Sequence, residues 1–195
     1  MKVAVRNLLL AGGLILAALQ TPAAAPPPAP VPAPFRLTSP AFADNAPLAT
    51  KFAGDRKDNP NCVGQSISPP LKWANPPAGT NSFALLLIDP EGRGGLGVVH
   101  MVVYGIPAAV TGFAEGELSK PSDKFVGGKS TMGLPTYFGP CTPQGDWHHY
   151  TFILMATDLD PKALQAGMTR DELFAALAGH TKTAAGLIGR FRHPQ

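Results

Sequence analysis

The sequence predicts a mostly β domain, a sandwich of sheets with two or so short helices. Three observations carry this. Gly and Pro are abundant, 21 and 22 of 195 residues, while charged residues make up only 15%; such a composition suits a fold with many turns and little charged helix surface. The apolar runs at 83–88, 98–106 and 150–157 have strand length and end at turn residues, which favours strands over helices. Helix start signals gather only after residue 157.

Taken in chain order, Lys2 and Arg6 flank an apolar stretch at 8–19, too short to span a bilayer comfortably. Thr21-Pro22-Ala23-Ala24-Ala25 supplies small residues for cleavage. Residues 1–25 are therefore expected to be a secretory signal peptide, which implies a periplasmic or secreted protein; a retained N-terminal anchor is the alternative. Residues 26–34 are nearly all Pro and Ala, the composition of a stiff polyproline II spacer. Residues 35–195 then form one domain, long enough to bury a real core. Removal of 1–25 takes away Lys2 and Arg6 and no acid, so the 16 basic side chains fall to 14 against 13 acidic ones. That balance, with no Lys/Arg stripe, excludes a nucleic-acid-binding surface. Membrane contact is expected only through the uncleaved signal peptide.

Phe35-Arg36-Leu37 reads as an edge strand. The run at 83–88 is apolar without alternation, as in a strand buried on both faces. Pro107 ends the 98–106 strand, and 150–157 forms a third, rich in aromatic and aliphatic residues. Asp160-Pro161 has a capping carboxylate before a Pro, a helix opening. Thr169-Arg170-Asp171-Glu172 is a capping box, with Gly179 as the stop. The segment 184–191 fits a strand or a helix equally well. Cys62 and Cys141 are the only cysteines; in an exported protein such a pair invites a disulfide, against the alternative of two separate buried thiols.

Site chemistry is concentrated in two stretches. One is Asp89-Pro90-Glu91 with His100 in the following strand; the other runs from Gly139-Pro140-Cys141 to Trp147-His148-His149-Tyr150. Spacing alone reads Asp89 as an Asx-type turn with a solvated Glu91, and His100 as a core histidine. If the stretches meet, they build a small rigid cavity in which imidazoles donate to an anion and the Gly/Pro loop offers converging N–H groups. Only one of the adjacent residues His148 and His149 can face it. Gly128-Lys129-Ser130 fails as a phosphate loop because Asp123 stands where Gly is needed. Adjacent histidines lack the helical spacing of zinc hydrolases, although Asp89, His100 and His148 could meet as a nonlocal metal site. No cofactor motif is present.

These residues resemble the phosphatidylethanolamine-binding protein family, in particular its bacterial Raf-kinase-inhibitor-like branch. Asp89-Pro90-Glu91 is similar to the family's Asp-Pro-Asp run, His100 to its downstream histidine, and Gly139-Pro140-Cys141 through His148-His149-Tyr150 to its Gly-Pro-Cys-Pro-Pro and His-Arg-Tyr runs. Ser68-Pro69-Pro70-Leu71-Lys72-Trp73, Gly179-His180 and Gly189-Arg190-Phe191 also match, in the family's order. The resemblance implies a large antiparallel sheet packed on a smaller one, and a ligand site at Asp89, Glu91, His100, Gly139, Pro140, His148 and Tyr150. Three departures stand out. Gly92-Arg93 replaces Ala-Pro, implying a looser rim. Val98 and Met101 replace aromatic residues beside His100, implying a wider floor. His149 replaces Arg, which puts an outer salt bridge in doubt.

The leading expectation is a non-enzymatic, exported protein that binds a small anion or a phosphorylated head group and regulates partner proteins by surface contact. Two alternatives come from other classes: a phosphoester or ester hydrolase using Asp89 and His148 for general-base catalysis, and an inhibitor of secreted proteases acting through surface loops; Cys141 as a nucleophile beside His148 would be silenced by a disulfide.

Overall fold

Nine strands build the domain among the described residues, 32–194 of a computed structural model. They are β1 (Arg36–Thr38), β2 (Ala46–Pro47), β3 (Leu71–Ala74), β4 (Ser82–Asp89), β5 (Val98–Pro107), β6 (Gly112–Phe113), β7 (Val126–Gly127), β8 (His148–Thr157) and β9 (Thr181–Phe191). The expected signal peptide and most of the Pro/Ala spacer lie outside the described residues. A small sheet has the order β1-β3-β6, and a large one the order β2-β9-β8-β4-β5-β7. Every pairing is antiparallel except the short β2–β9 edge, which is parallel.

The unbroken apolar run of β4 has a clear cause: both of its faces are covered. Phe83, Leu85 and Leu87 enter the core shared with the small sheet, where Leu37, Leu71, Trp73 and Phe113 meet them. Ala84 and Leu86 point the other way, into a second cluster with Val102, Tyr104, Leu173 and Leu177. A strand with two dry faces needs no polar alternation. Trp73 packs edge-on against Phe83 at 5.4 Å between ring centroids. Each fully buried side chain of this size contributes about 1.5–3 kcal/mol, so the central strand anchors both layers.

The second layer is one helix, Arg170–Leu177. Its capping box is formed: Glu172 N–H donates to Thr169 Oγ1, and Thr169 N–H to the Glu172 carboxylate. Leu173 and Leu177, one helical turn apart, bury the inner face. Gly92–Gly95 is a single turn with left-handed residues inside it, and Thr50–Phe52 and Glu117–Ser119 are short 3-10 turns.

Two sequence readings are settled here. The segment 184–191 lies within β9, paired along the whole of β8; the open edge of a long strand decided what periodicity left open. Asp160-Pro161 opens no helix. Asp160 Oδ1 accepts from Lys162 N–H at 2.8 Å, but tertiary bonds then capture the chain. Tyr104 Oη–H donates to Gln165 O at 2.6 Å, and Gly167 N–H to Gly127 O at 2.9 Å. A local start signal yields to these long-range anchors.

Cys62 and Cys141 are joined, with a sequence separation of 79. The bond ties the loop before β3 to the loop before β8. Closing a loop of this length removes unfolded-chain entropy worth about 4–5 kcal/mol. Replacing both cysteines with Ser is expected to lower Tm by roughly 10 °C or more at the 2–4 °C per kcal/mol of a domain this size; scanning calorimetry of the oxidised parent and the double variant checks this.

Candidate functional site

The C-terminal end of β4 brings the two sequence stretches together. Its neighbours are β5 and β8, so Asp89 lies between the strand carrying His100 and the strand carrying His148. Asp89 is only 3% exposed. Its Oδ1 accepts from the backbone N–H groups of Glu91 and Gly92, at 3.0 Å each. Its Oδ2 accepts from His148 Nδ1 at 2.8 Å. The Asx turn and the pairing with an imidazole, read from the sequence as competing roles, are both made, one by each carboxylate oxygen.

His100 reaches the same place through a β-bulge. Leu87 stands opposite Met101 but Ile88 opposite Val99, which leaves His100 as the extra residue. An extra residue lets two successive side chains share a face. Met101 enters the sandwich core while Val99 and Val102 pack on the helix side. His100 turns with Met101, setting its ring edge-on to Tyr150 at 5.2 Å and stacking it on Phe138 at 6.4 Å. His100 Nδ1 lies 2.9 Å from Phe138 O; a carbonyl only accepts, so Nδ1 carries the proton. Burial holds the ring's pKa below its ordinary 6.5, against the Phe138 carbonyl and the Asp89 charge, which favour protonation. His100 is therefore neutral at pH 7.

These groups line one cavity of about 470 Å³, walled by Asp89, Glu91, His100, His148 and Tyr150 together with Phe138 and Thr142. Burial pushes the Tyr150 phenol well above its ordinary range, and its hydroxyl pairs with Thr142 Oγ1 at 2.7 Å. Arg56, Arg93 and Met132 stand at the rim. A neighbouring cavity of about 530 Å³ shares Arg56, Met132 and Phe138 but reaches neither imidazole.

Several sequence expectations change. Gly139 and Pro140 do not line the cavity; they are buried behind it. Gly139 N–H donates to Ser66 Oγ at 3.2 Å, and Pro140 O accepts from Gly54 N–H at 2.7 Å. The Gly139 N–H is therefore spent on Ser66 and is not offered to the cavity. The floor beside His100 is not bare either, because Phe138 supplies a stacking ring from the loop; Met101 is core. His149 keeps an acidic partner: its Nδ1 lies 2.7 Å from Glu91 Oε1, and its N–H donates to Glu91 Oε2 at 3.2 Å. Burial opposes ionisation of Glu91, but these two bonds outweigh it and hold the carboxyl below its ordinary 4.5. Cys141 is oxidised and has no thiolate with which to attack. Among the described residues, Asp89, Glu91 and His148 bring donor atoms within 4.8 Å of one another, and His100 is outside this group. Sequence reading missed Phe138 and Arg56. Phe138 could have been suspected from its place beside Gly139; Arg56 carries no local signal, because the disulfide loop brings it in.

The model of the phosphatidylethanolamine-binding protein family matches residues 38–192. The chain belongs to this family. Among its relatives is a Mycobacterium tuberculosis protein named as lipoprotein LppC, 37% identical over 169 residues, 84% of this chain and 75% of that one. A UPF0098 protein of Chlamydia pneumoniae is 35% identical over 161 residues, 80% of this chain and 97% of that one. Two solved structures share the phosphatidylethanolamine-binding protein fold. Escherichia coli YbcL, described as a new member of the mammalian PEBP family, is 27% identical with a TM-score of 0.73, over 82% of this chain and 99% of that one. The homologue CT736 of Chlamydia trachomatis is 30% identical with a TM-score of 0.70, over 82% and 98%.

Two predictions follow from this geometry. A Cβ at Gly139 would lie 2.1 Å from Phe52 O and 2.5 Å from the Ala53 carbonyl carbon, backbone that cannot step aside. Gly139→Ala is expected to cost ~2–3 kcal/mol, as overpacking does, measurable by urea unfolding. The second concerns pH. Glu91 titrates lower when folded, so its contribution is present above the unfolded value near 4.5 and is lost as pH falls through the folded value. Glu91→Gln should lower Tm at pH 7, and the difference from the parent should shrink as pH is taken below 4.5, read by parallel thermal melts.

Proposed function

We propose that this chain is a non-enzymatic, exported binding protein for a small anion or a phosphorylated head group. The observation that carries the reading is the convergence of His148 and His100 on one cavity, with His148 held by Asp89 at 2.8 Å. An imidazole whose Nδ1 is tied to a buried carboxylate keeps its Nε2 aimed away from that carboxylate. When protonated it donates from there to a ligand oxygen. The guanidinium group of Arg93 adds positive charge at the mouth, which attracts anions; that of Arg56 is paired with Asp58. Glu91, His100 and Tyr150 complete the wall. Gly139 and Pro140 act from behind, fixing the loop so that little entropy is lost on binding. Export is supported by the disulfide, by the apolar N-terminal stretch and by a relative named as a lipoprotein.

The family's name identifies a lipid head group; for this chain the proposed ligand class is the phosphorylated or anionic group itself. Millimolar phosphate or phosphoethanolamine should raise Tm, and His148→Ala should abolish the shift while leaving the ligand-free protein folded. At one hundred times Kd the stabilisation is about 2.7 kcal/mol. An unchanged Tm in the parent at saturating concentrations of both compounds would falsify the reading. Turnover of a chromogenic phosphoester that disappears in Asp89→Asn would replace it with the hydrolase.

A further inference from the structure

The imidazole of His100 faces the cavity in a fixed tautomer. Its Nδ1 proton is committed to Phe138 O at 2.9 Å, and the ring is 4% exposed. The nitrogen left to the cavity, Nε2, has no protein partner among the described residues and offers a lone pair. The other groups facing that space are mixed. Asp89 and Glu91 bring negative charge from the end of β4, His148 and Tyr150 come from β8, His149 is turned to Glu91, and Arg56 and Arg93 sit at the rim. An anion bound against His148 in this cavity thus also meets the His100 acceptor, beside the Asp89 and Glu91 carboxylates that cluster with His148. An oxygen with no hydrogen there faces lone pair against lone pair, and His100 Nε2 is left buried and unpaired. An oxygen that carries hydrogen makes a hydrogen bond instead.

We propose that His100 makes the cavity selective for anions that bring their own proton: inorganic phosphate and singly ionised phosphomonoesters, over sulfate and phosphodiesters. This rests on the anion-binding reading above and narrows its ligand class. Phosphate keeps at least one O–H across neutral pH. A phosphomonoester loses its last one with a pKa near 6. Sulfate and a phosphodiester have none. The discrimination has a known physical basis: a site built to bond a ligand O–H rejects the analogue that lacks it, because a buried polar group is left unsatisfied.

The test is calorimetric titration of the full chain with inorganic phosphate, phenyl phosphate, dimethyl phosphate and sulfate. Dimethyl phosphate carries the bonding pattern of a phospholipid head group and separates that source from a free phosphoryl group. At pH 6 the first two ligands should bind roughly tenfold or more tightly than the last two. Between pH 6 and 8 phenyl phosphate should weaken more than inorganic phosphate. Any change in the protein's own protonation acts equally on both, so the difference between the two slopes isolates the ligand's own proton. His100→Gln, whose amide can turn an N–H toward the cavity, should bring the phosphate-to-sulfate ratio toward one, with the melting curve as the check on folding. If that variant does not fold, the ranking in the parent still decides. Sulfate or dimethyl phosphate binding within about twofold of phosphate overturns the proposal and leaves the anion site standing. Failure of all four to bind the folded parent overturns both.

Discussion

Asp89 is the group on which the site depends. It is a carboxylate with 3% of its surface exposed, and a bare charge there would cost several kcal/mol. Three donors remove that cost: two backbone N–H groups on Oδ1 and one imidazole N–H on Oδ2. The backbone donors exist because the chain turns sharply after Pro90, and the turn is possible because Gly92 has no side chain. A Cβ there would lie 2.6 Å from Val98 Cγ2 and 3.0 Å from Asp89 Oδ2. The same residue thus admits the close approach of β5 and keeps the carboxylate free for His148. Local turn chemistry and site chemistry are one hydrogen-bond set, shared between the two oxygens of one carboxylate.

The second dependence is the bulge at His100. Regular alternation would send this side chain into the cluster under the helix, beside Val102 and Tyr104. One extra residue turns it to the opposite face, where Phe138 and Tyr150 confine the ring. The aromatic neighbours do more than fill space. They hold the imidazole dry, which keeps it neutral, while the Phe138 carbonyl chooses its tautomer. Protonation state and orientation are therefore fixed before any ligand arrives, and both follow from a register shift of a single position.

Much of this architecture could be read from residue types. The runs at 83–88, 98–106 and 150–157 lie inside β4, β5 and β8, because burial on two faces writes itself as unbroken apolarity. The capping box at Thr169 was also readable, since it is a local device whose parts lie within one helical turn. Other features have no local trace. The turn at Asp160 is set by Tyr104 and Gly127, both distant in sequence. The pairing of His149 with Glu91 joins β8 to the turn after β4, and Arg to His at that position gave no sign that a carboxylate would still be met. Gly139 looked like a rim residue, yet its role is to let one backbone pass within van der Waals reach of another. In each case the deciding partner is far along the chain, where spacing carries no information.

The loop before β8 shows how such long-range partners make a rigid site from an irregular segment. Between Tyr137 and Cys141 the chain has no strand or helix, yet four of its backbone groups are tied to other segments: Tyr137 N–H on Leu118 O, Phe138 O on His100, Gly139 N–H on Ser66 Oγ, Pro140 O on Gly54 N–H. The Tyr137 hydroxyl reaches Phe52 O at 2.7 Å, and Cys141 is bonded to Cys62. An unpaired backbone group here would be buried and costly. These bonds span several different segments, so shifting the loop would break several of them together. That cooperative fastening keeps Phe138 O where it can hold the His100 proton. The selectivity proposed for the cavity is in this sense a property of the loop as much as of the imidazole: a loose carbonyl would let the ring exchange its tautomer and present a donor, and the cavity would lose its means of telling a protonated anion from a bare one.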